Sequence, residues 1–264
     1  MALPPTCVAS LGVAAAESKF APLEGYSGSA INRCGVTLRE WWANPEPGPD
    51  GRIAAEVLDA FVAMIKFRES FQAPLNKTVN GLRSMVRSEC PELKQPGATV
   101  PVAQRLKRRE QIINKLVRLP EMSLWTMGDI GGCRAVLPSR EMVDGVLQRI
   151  RKQKWTLHGR IRDYRDEAAP SGYRAVHVMV IRDGRIIEIQ LRDPREHEWA
   201  LAVERTGSRL GYMLKEGDGP DDLKEYFRLA SMGMYMESVK QQPDQSFVEA
   251  FRAAQRSAVR YLER

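Results

Sequence analysis

Periodicity along this 264-residue chain predicts an α+β fold, a mixed β-sheet flanked by helices. Three observations carry that expectation. Helical patterns fill the stretch 53–118 and most of the chain beyond about 194. Between 129 and 192 the apolar residues fall instead in short runs. Within that middle, "SGYRAVHVMVIRDGRIIEIQLRD" (171–193) alternates on both sides of Asp183-Gly184, the strongest short signal for a hairpin because both positions need positive φ.

Taken in order, residues 1–50 are rich in small residues, Pro and Gly and end in "NPEPGPDG". They are expected to form a weakly structured arm pinned by Trp41 and Trp42, preceding a domain over 51–264. Ile53, Val57, Leu58, Phe61, Met64 and Ile65 recur at helical spacing and predict a helix over 53–72, with a second near 75–89. "PELKQPGATVP" is a loop, since its prolines block regular structure. The pattern predicts a helix over 102–118, with basic residues at 105, 107, 108, 109, 115 and 118. "GDIGGCRAVLPS" leads into a short buried strand, and Ser139 caps a helix over roughly 140–153. "WTLHGRIRDY" is a further strand, followed by the hairpin and then helices to the end of the chain.

The hairpin turn fixes a register that pairs Arg182 with Arg185, Met179 with Glu188 and His177 with Gln190. One face is then Val176, Val178, Val180, Ile187, Ile189 and Leu191, an apolar core face. The other carries Tyr173, His177, Met179, Glu188, Gln190 and Arg192. Alternation of this kind also describes any solvated outer face of an antiparallel sheet. The mixture of aromatic, imidazole, carboxylate, amide and guanidinium is what suits a phosphorylated ligand and a metal. Asp129, beside three glycines, offers a second carboxylate, and a carboxylate pair suits Mg²⁺. Taken alone, Asp129 reads rather as an ordinary turn aspartate.

Bulk properties bound the class. Lys and Arg total 40 against 33 Asp and Glu, for a formal net charge of +7. That fits a polyanionic partner such as nucleotide or RNA, and fits an ordinary basic protein as well. No apolar run reaches the ~20 residues of a membrane span, and the first residues lack the basic stretch of a signal peptide. Cys7, Cys34, Cys90 and Cys133 lack metal-ligand spacing, which predicts a cytoplasmic protein with free thiols.

Four motifs in order over about 90 residues make the chain resemble the RelA/SpoT family of alarmone synthetases. "RLKRREQIINKL" gives Arg105, Lys107 and Lys115 where the family's Arg-x-Lys and later Lys stand, with Gln111 in place of its Ser. "DIGGCR" gives Asp129 and Arg134, "GYRAVH" gives Tyr173 and His177 with Ala175 in place of Ser, and "EIQLR" gives Glu188, Gln190 and Arg192. The resemblance implies the synthetase fold, nucleotidyltransferase-like, with a motif core over 102–206. It implies an ATP pyrophosphokinase in which Arg105 and Arg134 sandwich adenine while Lys107 and Lys115 hold phosphates. Asp129 and Glu188 would bind Mg²⁺, and Glu188 would also activate the acceptor hydroxyl. Tyr173 would stack on the acceptor base, with His177, Gln190 and Arg192 on the same side.

A loop lysine usual in nucleotide-using members is replaced by Ala169, and "GYRAVHVMV", "EIQLRD" and "HEWALAVE" are worded like the toxic small synthetases. Those toxins act on the tRNA 3′ end or on adenine nucleotides and are paired with an antitoxin. By that resemblance the expected acceptor is tRNA. The alternatives are GDP/GTP, adenine nucleotides, or an inactive nucleotide-binding module. The family's hydrolase needs a His-Asp cluster upstream, and residues 1–100 contain no histidine, so hydrolysis is not expected.

Overall fold

The computed structural model describes residues 20–21, 23–45, 52–95, 101–153 and 155–262. Helices α1 (Gly28–Ala43), α2 (Ala55–Glu69) and α3 (Gln72–Glu89) come first, then a 3₁₀ turn at Pro91–Lys94. Strand β1 (Val102–Leu106) leads into α4 (Arg109–Arg118), and β2 (Gly131–Val136) into α5 (Arg140–Lys152). The short strands β3 (Thr156–Leu157) and β4 (Arg162–Asp163) precede the hairpin of β5 (Val176–Arg182) and β6 (Arg185–Arg192). The chain then forms α6 (Pro194–Leu210), a 3₁₀ turn at Leu214–Glu216, α7 (Asp221–Ser238) and α8 (Gln245–Leu262).

The sheet is six-stranded, ordered β1-β2-β6-β5-β3, with β4 also pairing β5. It is mixed: β2 and β6 run parallel, and the other pairs are antiparallel. The hairpin has the expected register, with Met179 opposite Glu188 and His177 opposite Gln190. Asp183 and Gly184 both take positive φ, at 46° and 71°. The alternate residues Val176, Val178, Val180, Ile187, Ile189 and Leu191 are all buried in the main core with α2, α3 and α5. A second cluster, built on Trp199, Val203, Leu214 and Phe227, joins α6 to α7 and α8. Tyr173 packs against that second cluster, so the polar face of the hairpin opens between the two.

Two expectations need correction. Residues 102–106 are a strand rather than the start of a helix. Val102–Leu106 pairs antiparallel with β2, and this tertiary pairing overrides the helix-forming composition of "VAQRLKRREQ". The second correction is in the expected arm over 1–50, where residues 28–43 form α1, with Ile31 and Leu38 fully buried. Close approach explains the glycines there: a Cβ on Gly28 or Gly35 would stand 2.9 Å from Trp125 or Leu124. Trp42 donates to Asn114 of α4 at 2.9 Å, and Trp41 packs edge-on against Phe61. Residues 1–19, 22 and 46–50 of that arm lie outside the described residues.

Candidate active site

The site grows from the register of the central strands, because cross-strand partners share a face. Arg105 pairs with Gly132, and Gly132 in turn pairs with Glu188 across the parallel β2–β6 junction. One row along, Arg134 pairs with Gln190, which pairs with His177. Arg105, Arg134, Glu188, Gln190 and His177 therefore stand on one face. The break between β1 and α4 brings in the lysines. The Lys107 amide still donates to the Ile130 carbonyl at 2.8 Å, and α4 carries Lys115 back over the turn. Both ammonium groups meet Oδ2 of Asp129, at 2.9 and 2.8 Å.

Electrostatics then sort the two carboxylates. Burial raises the pKa of Asp129, but Lys107 and Lys115 outweigh it and leave the carboxyl below its ordinary range. Burial likewise works against ionised Glu188, and hydrogen bonds from His177 and Gln190 reverse the balance. The charge of Asp129 raises Glu188 in turn, so the two carboxylates lie within each other's field. Both are anions at neutral pH. The Asp129 Oδ1 atom is buried and has no hydrogen-bond partner. Gly132 keeps the space beside Glu188 open, since a Cβ there would come 3.9 Å from Oε2.

A hydrogen-bonded chain runs from Glu188 toward the second cluster. His177 Nδ1 lies 2.9 Å from Glu188 Oε1, and its Nε2 lies 2.7 Å from the Tyr173 hydroxyl. Arg192 donates to the same hydroxyl at 2.7 Å and to Gln190 Oε1 at 3.0 Å. A neutral imidazole protonated at Nδ1 satisfies both contacts, donating to the carboxylate and accepting from Tyr173. Burial raises the Tyr173 pKa, which keeps that hydroxyl a donor. Arg192 is only 2% exposed, yet its Nε and Nη1 have no partner, and the Arg134 Nε is also orphaned. Burial and the neighbouring charges of Arg192 and Arg105 lower the Arg134 pKa, with Glu204 opposing them. Buried donors without acceptors beside like charges are costly unless an anion completes them.

The structure thus brings together the residues read from the motifs: Arg105, Lys107, Lys115, Asp129 and Arg134 on one side, and Tyr173, His177, Glu188, Gln190 and Arg192 on the other. It also adds residues that sequence reasoning missed. Lys215 stands 5.9 Å from the Tyr173 ring centroid and forms an ion pair with Glu204 at 2.6 Å. His197 lies 3.4 Å from Arg134. Glu204 and His197 bracket "HEWALAVE", whose helical spacing puts them two turns apart, but nothing local marks Lys215. Arg165 and Arg174, the arginines nearest the Ala169 loop, are bound elsewhere: Arg165 to Asp163 and Asp144, Arg174 to Ser231.

The model of the region found in RelA / SpoT proteins matches residues 104–207. Uncharacterised proteins of Mycobacterium tuberculosis H37Rv and Mycobacterium bovis are 27% identical over 202 residues, 75% of this chain and 65% of theirs. The match therefore spans just under two thirds of the length of these curated relatives. Among solved structures, the small alarmone synthetase 1 of Bacillus subtilis, bound to its product pppGpp, superposes with a TM-score of 0.53 at 22% identity, covering 66% of this chain and 94% of that one. A GTP pyrophosphokinase family protein of Streptococcus pneumoniae gives 0.51 at 24% identity, covering 65% and 89%. At these identities the likeness is one of fold, and that fold is the mixed sheet with flanking helices of small alarmone synthetases. The match to the region found in RelA / SpoT proteins, residues 104–207, falls on the segment that supplies all of the motif side chains.

Proposed function

We propose that the protein transfers the pyrophosphate of ATP to a ribose 3′ hydroxyl, with Mg²⁺ as its metal. One observation carries this reading: two ionised carboxylates, Asp129 and Glu188, lie within a field of cations that includes Lys107, Lys115 and Arg134. Such a set can neutralise a triphosphate while holding a divalent ion. The residues present fit the ion. The orphaned Oδ1 of Asp129 and the gap left by Gly132 beside Glu188 are the openings it needs. Asp129 and Glu188 would hold Mg²⁺, and phosphate oxygens and water would complete its shell. Bound there, it would offset charge on the phosphates and lower the pKa of the hydroxyl.

Within the protein, Arg105 and Arg134 flank the adenine, and Lys107 and Lys115 exchange Asp129 for phosphate oxygens. The acceptor oxygen bonds to the β-phosphorus as the bond from that phosphorus to the α,β-bridging oxygen breaks. AMP leaves with the bridging oxygen. Glu188, ionised beforehand, takes the hydroxyl proton as the new bond forms. His177 and Gln190 hold the Glu188 carboxylate, and Arg192 holds Tyr173 beneath the acceptor base.

The acceptor we propose is the 3′ end of tRNA, in a cytoplasmic toxin held in check by an antitoxin protein. Ala169 offers no charge to a free nucleotide's phosphates, and Lys215 near Tyr173 is neutralised by Glu204. The basic surplus of the chain suits a polynucleotide. The test offers ATP labelled in its terminal phosphates with bulk tRNA, GDP, GTP, AMP and ADP in parallel. Label on tRNA with release of AMP, together with growth arrest on expression, is the expected result. Label only on a guanine nucleotide makes the protein an alarmone synthetase, and label only on an adenine nucleotide makes it another kind of toxin. AMP release that is equal for wild type and Glu188→Ala makes it a non-catalytic nucleotide-binding module.

A further inference from the structure

Arginines also converge away from the transfer cleft. Where the loop 164–175 meets α5, α6 and α7, Arg140, Arg165, Arg174 and Arg195 line a second, narrow cleft together with Glu196 and Tyr235. None of these residues belongs to the set described above. Two of the guanidinium groups are buried, Arg165 at 6% and Arg174 at 7% exposure. A buried cation is destabilising unless it is paired.

Their pairing is incomplete. Arg165 meets Asp144 at 2.6 Å and Asp163 at 2.7 Å, but its Nη1 is buried without a partner. The hydrogen-bond partners of Arg174 are neutral: the Ser231 hydroxyl at 3.0 Å, the carbonyls of Arg165 and Asp166, and the Met232 sulfur. The Tyr235 ring covers it at 4.4 Å. Arg140 and Arg195 pair only with Asp166 and Glu237, whose side chains are 71% and 68% exposed. Surface pairs of that kind contribute little and are readily exchanged. The cleft's own carboxylates, Asp193 and Glu196, are tied to each other's backbone in the capping box of α6. The four guanidinium groups thus have carboxylates around them, and what stays open in the concave space is donor capacity: Arg165 Nη1 has no partner, and Arg174 hydrogen-bonds to no carboxylate.

We infer that this cleft is an anion site for a phosphate group, separate from the transfer cleft. Guanidinium forks bind carboxylate and phosphate alike. Forks arriving from a loop and two helices suit the tetrahedral set of phosphate oxygens better than two oxygens in a plane. The phosphate comes either from a small molecule or from a polynucleotide backbone. The site backs onto the acceptor side: Trp199 lines it, and its ring lies 6.5 Å from that of Tyr173.

The test uses the full chain and measures its melting temperature against inorganic phosphate, with sodium chloride at matched ionic strength as reference. Arg140 and Arg195 sit at helix starts and are partly exposed, so the double variant R140Q/R195Q is expected to fold. Half-maximal stabilisation of wild type should shift to a phosphate concentration at least about tenfold higher in that variant, a difference of about 1.4 kcal/mol. Arg134→Gln, in the transfer cleft, should leave it unchanged. A parallel titration with a short single-stranded RNA separates the sources. RNA affinity lost in the double variant assigns the phosphate to a polynucleotide, and RNA affinity retained assigns it to a small molecule. The inference is overturned if phosphate stabilises no more than matched chloride does. It is overturned equally if Arg134→Gln, and not the double variant, abolishes the effect. The measurement needs no turnover, so it stands or falls apart from the proposed transfer reaction.

Discussion

Arg105 and Tyr173 stand at opposite ends of the polar face, and their surroundings give them separable roles. Arg105 is an exposed side chain on an edge strand, whereas Tyr173 is half-buried and hydrogen-bonded through His177 to Glu188. Base stacking is worth about 1–3 kcal/mol, so Arg105→Ala should weaken ATP binding by roughly 5- to 150-fold. Tyr173→Ala should leave ATP affinity nearly intact and raise the KM for the acceptor, and Tyr173→Phe should retain most of the stacking. Calorimetric ATP titrations of the three variants decide this, and an equal loss of ATP affinity in Arg105→Ala and Tyr173→Ala would refute the assignment. Two adjacent glycines offer a second contrast. A Cβ on Gly131 would lie 2.9 Å from Ile187 and 3.2 Å from Phe71, whereas one on Gly132 makes only ordinary contacts near Glu188. Gly131→Ala should cost about 1–3 kcal/mol in urea unfolding. Gly132→Ala should match wild type in the same measurement and lose turnover, because its methyl group fills the space beside the carboxylate.

The α6 helix carries its own titration signature. Asp193 caps it, and Glu196 closes the capping box by accepting the Asp193 amide. Burial, reinforced by the charge of Asp193, raises the Glu196 pKa to about 7. Between the ordinary glutamate value and about 7 the folded state therefore binds more protons than the unfolded one. Stability must fall as pH rises through that window, by at most about 3 kcal/mol. Glu196→Gln keeps an oxygen for the cap and removes the titration. Subtracting the variant's unfolding free energy from that of wild type at pH 5 and pH 7.5 should show this loss, and a flat difference would contradict it. At this scale the hairpin was legible in the sequence because Asp183-Gly184 fixes the register, and the register sorts the faces. Strand β1 was not legible, since nothing local separates "VAQRL" from the helix-forming residues after it. Only its pairing with β2 makes it a strand. Helix α1 was hidden by glycines that serve close packing. The candidate site was legible as motif residues, but the contact of both lysines with Asp129 and the approach of Lys215 to Tyr173 depend on chain turns that no motif encodes.

Over the whole molecule the charge is unevenly used. Some of the positive charge is turned inward, as in Arg185, buried on the Ser70 hydroxyl and the Ala21 carbonyl, so not all of the formal +7 faces a ligand. If tRNA is the acceptor, several phosphates should still be contacted, and log affinity should fall linearly with log salt at a slope of about −0.7 per contact on single strands. A filter-binding series from 50 to 300 mM salt should give a slope of −2 or steeper, and a slope shallower than −1 would speak for a mononucleotide acceptor. The interior division matters as well. The main core joins the first five helices to the sheet, while the second cluster ties α6 to α7 and α8, with Tyr173 packed against it. The residues proposed to bind ATP thus belong to the larger body, and the proposed acceptor side leans on the smaller one.

The parallel junction at the centre of the sheet has a consequence for the growing chain. Gly131 finds its partner Ile187 only after α5 and three further strands have been made. Pairings so distant along the chain close late and slowly. Asp129 and both lysines leave the ribosome well before Glu188, so under the proposed mechanism no nascent fragment ending ahead of β6 can carry the reaction. If the protein arrests translation as proposed, each copy would in this way be silent until β6 has been made, and activity should return in refolding experiments together with the slow closing of the β2–β6 pair rather than with the early helices.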